Sequence, residues 1–132
     1  MEVNLSLISL VIPDYDDAIK YYTEVFGFEL IEDTLLSPIK RWVRVKPKGS
    51  GDTCLLLAKA KNQDQTSRIG NQAGGRVFLF LYSDDISRDM DLLISNGVEF
   101  ARPLVQETWG KVVVLKDKYG NLWDLIEKTE AD

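Results

Sequence analysis

A constant offset runs through this chain and constrains its fold more than any other feature. Shifted by 70 residues, Asp14 lands on Asp84, Gly27 on Gly97, Glu29 on Glu99, Val43 on Val113, Lys46 on Lys116, Lys48 on Lys118 and Leu55 on Leu125, without a gap. The first copy reads as a strand, "VNLSLISLVI" from Val3, a helix, "DYDDAIKYYTEVF", and three strands, "FELIED", "KRWVRVK" and "TCLLLAKA". In the helix, Ala18, Tyr21, Tyr22, Val25 and Phe26 form one apolar stripe at helical spacing, with Asp14 set to cap the first turn and Gly27 to end the last. The second copy reads "RVFLFLYS" as a strand, then "DDISRDMDLLISN" as a helix with Ile86, Met90, Leu93 and Ile94 on one face. The strands "VEFARPLV", "GKVVVLK" and "NLWDLIEK" follow.

The duplication predicts an α+β fold: two tandem βαβββ modules forming a cupped mixed β-sheet with a helix packed on each outer face. Residues 1–132 are then a single domain, with module one at about 3–60, a linker at 61–75 and module two at 76–128. The linker "KNQDQTSRIGNQAGG" has the Gln, Asn and Gly content of a mobile connection, and a ligand lid is the alternative. "VKPKGSGD", residues 45 to 52, lacks both the P-loop spacing and a following helix, so it reads as a hairpin turn.

Composition removes several function classes. There is no histidine, which excludes serine or cysteine triads, the usual zinc sites and the iron site of two histidines and a carboxylate. The formal charge is −5 with both signs scattered, so nothing forms the concentrated basic face that nucleic acid requires. The single cysteine, Cys54, allows no internal bridge and fits a reducing, cytoplasmic setting. "LSLISLVI" is short and runs straight into "PDYDD", which supports neither a signal peptide nor a membrane span.

The helix motif "VIPDYDDAIKYYTEVFGFEL", the closing motif "DKYGNLWDLIEK" and the repeat together resemble the vicinal oxygen chelate superfamily, over residues from about 4 to 127. That group includes glyoxalase I (lactoylglutathione lyase), extradiol dioxygenases, fosfomycin-resistance enzymes and bleomycin-binding resistance proteins. Where members use a metal, the resemblance implies ligands from the first and last strand of each module. The first-strand positions fall on Leu7 and on Phe78, or Val77 by the strict offset. The closing-strand position of module two is Asp124; its mate in module one is Cys54 by the same offset, or Leu56 in a shifted alignment. A carboxylate and a thiol cannot supply the three or four donors of a transition-metal site, nor the six or more oxygens of calcium, so no metal and no cofactor is expected. Cys54 reads as a small buried apolar residue.

Strand alternation puts Leu122, Asp124 and Ile126 on one face, which the resemblance makes the cavity side, with Trp123 and Leu125 on the other. A carboxylate there either finds a cation or has its pKa raised. Arg44 is the candidate cation, because Val43 and Val45 suit the helix side and leave Trp42 and Arg44 for the cup. Two readings compete: a structural Arg44–Asp124 ion pair, or a pair that orients a ligand, with Asp124 the only candidate general base. Leu7, Leu56, Phe78, Phe80 and Tyr82 complete the lining, with Trp42 at its edge and Trp109 on the hairpin before "KVVVLK". Such residues either hold a flat hydrophobic molecule or fill the space themselves. The first functional reading is a metal-free, glyoxalase- or bleomycin-resistance-like protein that binds a small hydrophobic or aromatic molecule. The alternatives are a lactoylglutathione-lyase-like or dioxygenase-like enzyme, whose metal chemistry the missing histidines disfavour, and a self-associating structural module. A homodimer is expected under all three.

Overall fold

Strand pairing sorts the chain into two four-stranded sheets, one per copy of the repeat. The computed structural model describes residues 1–129, and the chain divides after Ile69 into two compact units. Unit one contains β1 (Leu7–Ile12), α1 (Tyr15–Glu24), β2 (Glu29–Leu35), β3 (Arg41–Lys46), β4 (Cys54–Lys59) and α2 (Gln63–Ser67). Unit two contains β5 (Leu79–Tyr82), α3 (Ile86–Ser95), β6 (Glu99–Glu107), β7 (Gly110–Lys116) and β8 (Leu122–Lys128). The sheet orders are β1-β4-β3-β2 and β5-β8-β7-β6, each with one parallel pair, first strand against last, and two antiparallel pairs. The α+β class and the tandem modules are as the repeat predicts.

The repeat is not held at one spacing. The helix caps are Asp14, accepting from the Asp17 backbone N–H at 2.9 Å, and Asp85, accepting from that of Arg88 at 3.1 Å. Asp85 therefore replaces Asp84 as the helix start, at an offset of 71. Asp84 instead pairs with the Arg88 guanidinium one turn on. Through the next hairpin the offset is 70: Glu29 faces Lys46 and Glu99 faces Lys116. In the last strand it is 68, because seven residues separate β3 from β4 and only five separate β7 from β8.

α1 and α3 each cover one face of their own sheet. Ala18 and Tyr22 of α1 are fully buried over Val43, Val45, Leu10 and Leu57, and Tyr22 also joins Tyr21, Phe26 and Phe28 in a ring cluster with centroids 5.3 to 6.1 Å apart. In unit two Ile86 and Leu93 are buried, as are Val113, Leu115, Trp123 and Leu125. Ile94, which the spacing puts on the same stripe, is exposed; α3 buries a narrower strip than its apolar content suggests. Both helices exit through a glycine with positive φ, Gly27 and Gly97, a conformation that a side chain would strain.

Two local expectations change, and one turn gains an unanticipated anchor. The first strand starts at Leu7 rather than Val3, because its parallel partner begins only at Cys54, and Val3 and Leu5 stay exposed. The connection 61–75 contains α2, capped by Asn62 through the Gln65 backbone N–H at 2.9 Å, and the unit boundary falls inside it. The turn before β8 is built on Asp117. Its carboxylate accepts from the backbone N–H groups of Tyr119 at 3.0 Å and Asn121 at 2.9 Å, from Asn121 Nδ2 at 3.0 Å and from Trp123 Nε1 at 3.0 Å. Gly70 lies so close to this turn that an added Cβ would collide with the Tyr119 carbonyl.

Candidate functional site

The helices cover one face of each sheet and leave the other open. Corresponding rows cross the two sheets. In unit one Glu32, Arg44, Leu56 and Ser9 stand side by side from β2 to β1; in unit two the row is Arg102, Val114, Asp124 and Phe80. The ladder thus selects Leu56, not Cys54, as the mate of Asp124, and Cys54 corresponds to Leu122. In the first strands, Leu7 lies beside Cys54 and Phe78 donates its N–H to the Leu122 carbonyl at 2.9 Å, so Phe78 rather than Val77 is the mate of Leu7.

At the positions the resemblance assigns to metal ligands, this register sets Leu7, Leu56, Phe78 and Asp124: three hydrocarbon side chains and one carboxylate. Among the described residues no group of three or more His, Cys, Asp or Glu is placed to hold an ion. One carboxylate cannot meet the coordination of any common divalent metal, so these residues do not fit one.

Arg44 does not answer Asp124. Its Nε donates to Glu32 Oε1 at 2.8 Å and its Nη1 approaches Cys54 Sγ at 3.5 Å, all within unit one. The Arg44 hydrogen bond, helped by one from Thr34, holds the Glu32 carboxyl below its usual range. Cys54 is buried, as expected, but its sulfur also contacts polar groups, with the Asp52 carbonyl 3.7 Å away. Asp124 has its pKa raised by burial among apolar neighbours, an effect partly opposed by the charge of Arg102. Arg102 lies two strands away in the same row and forms no ion pair with Asp124.

Alternation alone misplaces both Glu32 and Arg102. A bulge between Leu30 and Glu32, repeated between Phe100 and Arg102, reverses which face the chain presents after it. Neither bulge leaves a mark in the hydrophobic pattern of the strand.

The remaining predicted residues divide by unit. Phe80 and Tyr82 project from the helix-free face of β5 and are 59% and 66% exposed. The Lys128 ammonium lies 4.3 Å from the centre of the Tyr82 ring. Phe78 and Leu122, with the 70–76 segment, line a cavity of about 440 Å³ in unit two, where Lys116 lies 3.8 Å from Glu99. Trp42 and Leu56 line a cavity of about 330 Å³ in unit one, beside Ser9, Val11 and Ala58 of the same face. Leu7 is half-buried at the head of that face, and Trp109 stands exposed at the β6–β7 turn, lining neither cavity.

Two βαβββ units, each with one helix-covered and one open sheet face, define a class of small α+β proteins. Residues 4–125 match the family model of the Glyoxalase/Bleomycin resistance protein/Dioxygenase superfamily, and the chain belongs to it. An uncharacterized protein of Shewanella frigidimarina (strain NCIMB 400) is 48% identical over 128 residues, 96% of this chain and 95% of that one. Among solved structures, UcmS2 aligns with a TM-score of 0.83 at 25% identity, covering 96% of this chain and 98% of its own. TnmS3, an antibiotic binding protein from Streptomyces sp. CB03234, aligns with a TM-score of 0.76 at 27% identity, covering 97% and 98%.

Proposed function

We propose that this protein binds a small hydrophobic or aromatic molecule on the helix-free faces of its sheets, without a metal. The observation that carries this reading is the composition of those faces. Phe80 and Tyr82 are exposed, Trp42 and Leu56 line a cavity, and the carboxylate among the apolar side chains, Asp124, lacks a direct ion-pair partner among the described residues. Apolar surface with a few polar anchors is the usual make-up of small-molecule sites. The likeness to an antibiotic-binding protein supports the same reading. A metal-dependent lyase or dioxygenase role lacks the donors it needs. The exposed aromatic face of β5 also suits a homodimer, which light scattering would reveal, and the single thiol suits a reducing, cytoplasmic setting.

Thermal shift and tryptophan fluorescence against a panel of aromatic compounds and antibiotics test the proposal. At least one saturable ligand is expected, adding about 2.7 kcal/mol of stability at 100 times its dissociation constant. A panel without a single stabiliser would overturn it.

A further inference from the structure

The cavity beside Trp42 has an adjoining one of about 390 Å³, and Tyr15, Lys40, Lys59 and Lys61 line both. The walls are otherwise largely uncharged, with Val11, Leu56, Leu57 and Ala58 on one side and Ile39 on the other. No Asp or Glu lines either cavity, although the chain carries 21 acidic residues against 16 basic ones. Two acidic groups beside the cavities are engaged elsewhere: Asp33 grips Arg41 through both its oxygens, at 3.0 and 2.6 Å, and Asp16 accepts from the same guanidinium at 2.9 Å. Lys40, Lys59 and Lys61 have no ion-pair partner among the described residues. Three lysines lining a concave, largely apolar wall bring a net positive charge to it, while the chain as a whole is net acidic.

We infer that unit one selects an amphipathic anion, a small aromatic carboxylate or sulfonate. Its ring would lie against Trp42 and Leu56, with its charge among Lys40, Lys59 and Lys61. This rests on the small-molecule reading above and adds the chemical class. Arg41 takes no part, since Asp16 and Asp33 saturate it; the lysines supply the attraction, and the apolar wall supplies the surface that a simple inorganic anion could not use.

The test compares 8-anilinonaphthalene-1-sulfonate with N-phenyl-1-naphthylamine, which differ by the sulfonate. The intact protein should bind the sulfonate at least about 10-fold more tightly, a preference that falls as salt is raised. The Lys40→Gln/Lys59→Gln/Lys61→Gln variant, its fold checked by circular dichroism, should lose the preference while binding the neutral probe as before. Trp42→Ala should weaken both probes alike. Equal binding of the two probes by the intact protein, or a preference that survives the triple variant, would overturn the charge inference and leave the binding reading standing. Unchanged binding in Trp42→Ala would overturn the location. Failure of both probes to bind would count against the two readings together.

Discussion

Asp124 is held by its surroundings in a state that costs stability. Burial raises its pKa, so the folded protein binds the proton more tightly than the unfolded chain does. Stability therefore falls as pH rises from the unfolded aspartate value through the higher folded one, and above that range the ionised carboxylate is a standing penalty. Replacing it with the neutral isostere removes the penalty. Asp124→Asn should be more stable than the parent at pH 7, by less than about 1 kcal/mol because the group is only partly buried. The gain should vanish as pH falls below the unfolded aspartate value, where the carboxyl is protonated in both states; urea titrations at a series of pH values would show it. A residue retained at such a cost is the natural anchor for a polar ligand group. If Asp124→Asn binds ligand unchanged, Asp124 has no such role. The same neighbourhood illustrates a limit of residue-by-residue reading. That Asp124 lies in an apolar setting is legible from "LWDLI", but its electrostatic neighbour is not: Arg44 turns to Glu32, and Arg102 reaches the row of Asp124 only because a bulge reverses β6.

Among the elements, the β7–β8 turn gathers its polar contacts on one side chain. Asp117 is buried and takes hydrogen bonds from two backbone N–H groups, an amide and the Trp123 indole, so it shapes the turn and also satisfies the one polar atom of a buried tryptophan. Asp117→Ala would strand those donors in a dry environment. The expected cost is about 3 kcal/mol or more, measurable by urea denaturation, with disturbed Trp123 fluorescence. The sequence shows the closing motif and the alternation of β8. It does not show the role of Asp117, since one aspartate in a polar turn looks like any other until its partners are known. Elements defined by short-range pattern are recovered well: α1 with its Asp14 cap, the hairpin at 45–52, and the buried pairs Val43 with Val45 and Trp123 with Leu125. Those set by a distant partner shift, as β1 does when it waits for β4 to begin.

For the whole chain, the duplicated modules and the absence of histidine lead to one expectation about chemistry. With Leu7, Leu56, Phe78 and Asp124 offering one donor among them, and no group of three His, Cys, Asp or Glu placed for an ion among the described residues, the protein should neither need nor retain a divalent ion. Elemental analysis should find no stoichiometric transition metal, and a chelator should leave the melting temperature unchanged; about one ion per chain, or chelator-induced melting, would contradict this. Among the described residues, no helix is long and apolar enough to cross a membrane. The amino-acid sequence by itself determined the class of fold, the tandem modules, the helix-facing core and the poverty of metal donors, because these depend on local periodicity and on which residue types are present at all. Tertiary structure alone decided that Leu56 rather than Cys54 matches Asp124, that Arg44 serves Glu32, and that Lys40, Lys59 and Lys61 meet at one cavity. Those facts depend on loop lengths, bulges and strand register, which bring together residues far apart in the chain and leave no periodic trace within any one segment.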